Sequence, residues 1–217
     1  MTLTWFSRLA AIFDLFAGQI VDYKRSLDFR TGILSRKIEW ISPGNNRVVV
    51  NSQRLVSFTR KNIFAIQYQI KSINFSGYIN LRSGIAGRIV ETEDDDVPRY
   101  GAAVAAVKGV PLQLISAEQV EEFSALVHRT KRSGLMLVSA MENELVSNRI
   151  IQKNQEQVSV DRRVEQIYHI KIEPGDTITL TKYGAYFTSR EHAEDELISL
   201  ASKALKEVRK AGFATLY

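Results

Sequence analysis

Cysteine is missing from the sequence altogether. Its absence removes disulfide bridges, thiolate metal sites and a thiol nucleophile together, and it suits a protein of the bacterial cytoplasm. Histidine is scarce as well: His128, His169 and His192 lie far apart, and the first two fall inside predicted strands with no carboxylate two residues away. Each reads as a satisfied core or surface histidine rather than a catalytic base. No H-E-x-x-H, G-x-S-x-G, Walker loop or G-x-G-x-x-G is present. Long hydrophobic runs are lacking too, since no stretch approaches the ~18 apolar residues of a membrane span. The opening "MTLTWFSRLAAIFDLFAG" has no basic region ahead of its apolar part, is interrupted by Asp14 and offers no A-x-A-like cleavage site, so it does not read as a signal peptide.

What is present is an ordinary globular composition, with 45% hydrophobic and 24% charged residues over 217 positions. That is enough chain for one large domain or two small ones. The net charge of +5 and pI near 9.4 raise the question of nucleic acid. The basic residues, among them Lys24, Arg25, Arg36, Lys37, Arg47, Arg54, Arg60 and Lys61, are spread singly along strands, and no RNP-like, zinc-finger or helix-turn-helix signature accompanies them. They read as solvated strand faces.

Most of the chain has a period of two. Residues 47–59 and 62–73 are rich in Val, Ile, Phe and Tyr, with Ile66, Tyr68 and Ile70 on one side and Gln67, Gln69 and Lys71 on the other. Arg60-Lys61 is the joint of a hairpin between them. Further strands are predicted over 76–84, 123–130, 133–145, 162–172 and 176–189, and Pro43-Gly44 and Pro174-Gly175 mark turns. Residues 91–111 carry little pattern. From Arg190 to Lys210 the period changes, with Ala193, Leu197, Leu200, Ala201, Ala204, Leu205 and Val208 at helical spacing. Thr188 and Glu191 fit a capping box in front of that helix and Gly212 fits its C-terminal stop. An apolar stripe on a terminal helix calls for something to pack against, and the sequence reads as a β domain cut off just after it.

Candidate chemistry is thin. The acidic run Glu91, Glu93, Asp94, Asp95, Asp96 could offer oxygens to a cation, yet it lacks EF-hand spacing and reads as a solvated loop. Nothing selects one pair of carboxylates for glycoside chemistry from the 24 acidic residues. Trp5, Trp40, Tyr78, Tyr100 and Tyr168 could stack on sugar rings if exposed, but aromatic residues in sandwich strands are more often core.

One stretch is more telling. "VDYKRSLDFRTGIL" mixes charged and apolar residues almost one for one and then breaks at Thr31-Gly32. Its Tyr23, Arg25, Leu27, Asp28, Gly32 and Leu34 are followed by Glu39-Trp40, by Arg54 and Ser57, by Asn74-Phe75-Ser76-Gly77 and by Arg82-Ser83-Gly84. Taken as a set, these resemble the N-terminal domain of glycoside hydrolase family 65, which contains maltose, trehalose, kojibiose and nigerose phosphorylases and related hydrolases. "PGDTITLTKYGAYFTSRE" resembles that domain's last strand, and the likeness runs from about Gln19 to the end with a weak middle between Glu91 and Val120.

The resemblance implies an all-β, galactose-mutarotase-like antiparallel super-sandwich over residues 1–189. Residues 190–217 would begin a helical linker toward an (α/α)6 catalytic barrel that lies outside this sequence. It further implies a non-catalytic domain that supports its own barrel in an enzyme acting on an α-glucosidic disaccharide with inorganic phosphate, or water, as acceptor. Phosphate would attack with inversion while one carboxylic acid protonates the leaving oxygen. The catalytic machinery of the family lies in the barrel, so no catalytic, cofactor-binding or metal-binding residue is assigned here. No cofactor, nucleic acid or membrane partner is expected, the compartment is the cytoplasm, and the resemblance leaves room for a homodimer of the full-length enzyme. Asp28 and Thr31-Gly32 would form the turn between two strands, and Arg25 would pair with a carboxylate of the sandwich. The alternative is a free-standing carbohydrate-binding sandwich, which would need exposed aromatics on a concave face and a terminal helix packed back onto the sheets.

Overall fold

The computed structural model describes residues 2–7, 9–12, 15–87, 112–148, 153–160 and 163–217. Thirteen strands occur among them: β1 (Thr2–Ser7), β2 (Leu9–Ile12), β3 (Gln19–Asp28), β4 (Ile33–Ile41), β5 (Arg47–Val56), β6 (Ile63–Ser72), β7 (Gly77–Ala86), β8 (Leu112–Val120), β9 (Phe123–Thr130), β10 (Met136–Ser147), β11 (Lys153–Val160), β12 (Arg163–Ile172) and β13 (Thr177–Thr188). One helix, α1 (Leu197–Ala211), follows, flanked by short 3₁₀ turns at Glu194–Glu196 and Phe213–Leu216. An eight-stranded sheet runs β3-β4-β5-β6-β13-β10-β9-β8 and a five-stranded sheet runs β11-β12-β7-β1-β2. The described pairings are antiparallel throughout.

Alternation sorts the residues of the larger sheet into two cores. Ile38, Trp40, Val48, Val50, Ile70, Ile178 and Leu180 point one way and meet Ile79, Leu81, Tyr168, Ile170 and Ile172 of the smaller sheet, which makes the interior of the sandwich. The opposite face carries Ala65, Ala125, Val127, Val138, Ala140, Tyr183 and Ala185, and α1 lies across it. Leu197, Ala201, Leu205 and Val208 are fully buried there. Burying each of the larger aliphatic chains contributes about 2 kcal/mol, before the entropy cost of ordering it. The apolar stripe that the sequence left without a partner thus covers β9, β10 and β13 of its own chain. The helix shares one core with the sheet.

Local details both follow and depart from the sequence pattern. Gly212 ends α1 as expected, with φ 88° and its N–H donating to Val208 O at 2.9 Å. The capping box does not form. Thr188 is still in β13, a turn intervenes, and α1 starts six residues after Glu191, with Glu196 at its N-cap and no side-chain cap. In the turn after β4 the left-handed residue is Asn45 (φ 60°) rather than Gly44, whereas Gly175 takes that conformation in its own turn (φ 89°).

The β3–β4 hairpin also differs from expectation. Its turn is as predicted: Gly32 N–H donates to Asp28 O at 2.8 Å, and Arg30 N–H donates to Asp28 Oδ1 at 2.8 Å. That second bond holds the Asp28 carboxyl below the usual carboxylate range. Yet β3 has no core side. Among the described residues it is an edge strand paired with β4 alone, and Tyr23 and Leu27 are each 49% exposed.

Candidate functional site

Among the described residues two places that gather polar chemistry stand out. The first is a seam between the sheets, where the apolar interior gives way to Ser83, Asn143, Gln166, Ser124 and Lys182, all buried. Strand register puts Asn143 on β10, Ser124 on β9 and Lys182 on β13 opposite Ser83 on β7 and Gln166 on β12. Ser83 Oγ donates to Asn143 Oδ1 at 2.7 Å, and Asn143 Nδ2 donates to Gln166 Oε1 at 2.7 Å. Gln166 Nε2 donates to the Glu122 carbonyl at 2.7 Å, and the Tyr168 hydroxyl lies 2.8 Å from Gln166 Oε1 and 3.3 Å from Glu122 Oε2. Burial, with the Glu122 carboxylate adding to it, pushes the Tyr168 phenol well up, so it stays protonated.

Lys182 is the most perturbed amine. Burial pulls it down to about 8 from its ordinary 10.5, and its Nζ donates to Gly84 O. Gly84 is held tight against β12, where a Cβ would come within 2.7 Å of Glu165 Cγ. Ser83 and Gly84 of the quoted Arg-Ser-Gly are therefore seam residues. The seam's donors and acceptors are spent on one another, which specifies how the two sheets register. It offers no nucleophile set against a base.

The second place is the far end of the same inner face. There Arg25, Leu34, Arg36, Ser52, Arg54, Ile66 and Tyr68 line a groove of about 230 Å³. It runs into a shallower, mainly apolar hollow of about 400 Å³ that shares Leu34, Arg54 and Ile66 and ends at Phe64 and Tyr186. Arg25 and Arg36 are directly opposite in the β3–β4 register. Arg36 Nη2 donates to the Tyr68 hydroxyl at 3.0 Å. Among the described residues no carboxylate lines either hollow. The carboxylate partner that the resemblance suggested for Arg25 is replaced by a second arginine, because both residues project from the same face of neighbouring strands. Phe64 stacks on Tyr186 with ring centroids 5.5 Å apart, and its ring lies over Gly184, where a Cβ would approach to 2.1 Å. Only a glycine lets that ring lie flat.

Beneath the last turns of α1, Glu142 is buried with Arg209 Nη1 3.8 Å from its carboxylate. Burial raises the Glu142 carboxyl above its ordinary range, and Arg209 and Lys206 oppose that shift. Tyr183, pushed up to about 12 by burial, lies 3.3 Å from Glu144. These carboxylates are engaged with their own neighbours.

The residues weighed from the sequence scatter through the structure. His128 is buried on β9, His169 Nδ1 meets Asn80 Oδ1 at 2.7 Å, and His192 packs on Phe187. Trp40 and Tyr168 are core, while Tyr78 is half exposed. The acidic run at 91–96 and Tyr100 lie outside the described residues, as does the Trp5 side chain. Asn74 Oδ1 accepts from Arg47 N–H at 2.7 Å and its Nδ2 donates to Asn45 O, which ties two turns together. Among the described residues no group of three acidic or histidine side chains could hold a metal ion, and no helix is long and apolar enough to cross a membrane.

Comparison with known proteins decides the family. Residues 8–217 match the model of the glycosyl hydrolase family 65 N-terminal domain. The chain belongs to family 65. It is 31% identical over 206 residues to the α,α-trehalose phosphorylase of Thermoanaerobacter brockii, covering 94% of this chain and 26% of that protein. It is 25% identical over 207 residues to the kojibiose phosphorylase of Halothermothrix orenii, covering 92% of this chain and 24% of that one. The structure of a putative kojibiose phosphorylase from the human microbiome superposes with a TM-score of 0.79 at 18% identity, over 99% of this chain and 25% of the other. The all-β sandwich with its terminal helix is thus the fold of the family 65 N-terminal domain. The chain spans about a quarter of the length of these relatives.

Proposed function

We propose that this family 65 domain is the non-catalytic N-terminal part of a disaccharide phosphorylase of the cytoplasm, and that it supports a catalytic barrel supplied by the rest of the polypeptide. The observation that carries this reading is coverage: nearly all of this chain matches only a quarter of each named phosphorylase. The site geometry agrees. A glycoside phosphorylase needs a carboxylic acid at the leaving oxygen, whereas the seam commits its polar groups to holding two sheets together and, among the described residues, no carboxylate lines the arginine groove. Residues 190–217 would lead toward the barrel after crossing the sheet as α1. The parent reaction would be phosphorolysis of an α-glucosidic disaccharide with inversion, and maltose, trehalose and kojibiose are the substrates to try. Absence of cysteine supports the cytoplasmic assignment.

A free-standing sugar-binding sandwich is the second reading. Two observations favour it: α1 packs back onto the sheet, and Phe64 with Tyr186 stands beside an open groove. Blotting a lysate of the source organism with an antibody to this chain separates the two. A band roughly four times 24.6 kDa is expected. A band at 24.6 kDa would overturn the phosphorylase-domain reading and leave the sugar-binding one.

A further inference from the structure

The eight-stranded sheet is covered on its inner face only in part. Toward the β4–β5 turn the smaller sheet seals it, but at the β3–β4 and β5–β6 turns the described residues leave the same face open. Three arginines stand there: Arg25 directly across from Arg36, and Arg54 paired with Leu34, two positions before Arg36 on β4. Like charges directly opposite on neighbouring strands are destabilising. Arg36 is anchored by Tyr68, and among the described residues no carboxylate lines either hollow at this end to neutralise the group. Large apolar groups stand at the same end: Val56 in the hollow's lining is 64% exposed, Phe58, whose ring lies against Gly32 of that lining, is 79% exposed, and Tyr186 and Phe64 form a stack there. Charge of one sign beside exposed aromatics is the composition of an interface rather than of a solvated surface.

Resting on the reading that this chain is part of a longer enzyme, we infer that the open end of the inner face docks an acidic, apolar-edged surface of the remaining polypeptide. Carboxylates of that surface would meet Arg25, Arg36 and Arg54, and Phe58, Phe64 and Tyr186 would fill its apolar edge. Two observations select this occupant over a second copy of the chain. The relatives carry about three times as much polypeptide outside the matched region as within it. A second copy would set one arginine group against another if the contact were two-fold symmetric, because such an interface joins the same patch to itself. Guanidinium groups pair with carboxylates in a two-point geometry that also fixes orientation. The arginines would therefore set how the sandwich sits on its neighbour.

The test is hydroxyl-radical footprinting of the full-length enzyme and of this chain alone, with Phe58 and Tyr186 as reporters and the half-exposed Tyr78 on the outer side of β7 as control. The expected result is loss of oxidation at both reporters in the full-length enzyme, unchanged by dilution, with Tyr78 unaltered. Oxidation should return in the Arg25→Glu, Arg54→Glu double variant, since neither arginine side chain makes a bond among the described residues. Equal oxidation in the two proteins would overturn the docking and leave the family 65 reading intact. Protection that vanishes on dilution would assign the surface to a second copy and overturn it equally. If no longer polypeptide exists, the blot shows it, and the underlying reading fails instead.

Discussion

The two ends of one sheet face make an instructive pair. On β4, Ile38 and Trp40 are buried against the smaller sheet, while Leu34 and Arg36, with the same parity on the same strand, line an open groove. On β13, Ile178 and Leu180 lie in the interior, Lys182 lies in the polar seam, and Tyr186 is half exposed. Backbone geometry is continuous from one end to the other, so what changes is the cover. Where a second sheet supplies apolar partners the strands carry aliphatic side chains. Where it does not, they carry arginine and aromatic residues that suit a partner from outside. The sheet is a single element with two kinds of neighbour.

The largest effects should come from the sealed end. Leu180→Ala should lower the unfolding free energy by about 3 kcal/mol, and Leu34→Ala on the same face by about 1 kcal/mol, both read by denaturant titration. Equal losses would erase the distinction between the ends.

Next is the seam. Lys182 holds its proton less tightly in the folded chain, at about 8 against 10.5 unfolded, so the folded state is penalised in full below pH 8. The penalty fades as pH rises and is gone above about 10.5. Lys182→Met should therefore be more stable than the parent at pH 7, with the gap closing by roughly 3 kcal/mol by pH 10.5. A gap that stays constant would place the amine in water. Gly184→Ala should cost about 2 kcal/mol, because its methyl collides with the Phe64 ring, and near-ultraviolet circular dichroism should report the displaced stack. The smallest effect is at the open end. Arg25→Gln should stabilise the isolated chain by about 0.5 kcal/mol at low salt, and the gain should disappear in 1 M salt as the repulsion is screened.

How much of this was legible beforehand depends on the range of the signal. Strand placement follows from local alternation, and β9 in particular runs over the predicted residues. Gly212 stops the helix by a local backbone requirement. The capping box failed because Thr188 is claimed by pairing with Leu137 across the sheet, a long-range contact that no local motif reports. Alternation told that one face of β3 differs from the other but not that the strand is an edge, since cover comes from a separate sheet. The arginine group was invisible for the same reason. Arg25, Arg36 and Arg54 look like singly scattered charges until the register of three strands brings them together. The seam is a similar case, because Ser83, Asn143, Gln166 and Lys182 come from four strands and meet only between the sheets.

The most direct test of the account is an activity measurement on the purified 217-residue chain, supplied with trehalose, kojibiose or maltose and inorganic phosphate. With the chemistry proposed to lie in the rest of the polypeptide, no sugar phosphate should form with this chain while the full-length enzyme produces it. Sugar phosphate formed in proportion to the isolated chain, and lost in Lys182→Met, would contradict it and turn the polar seam into an active site.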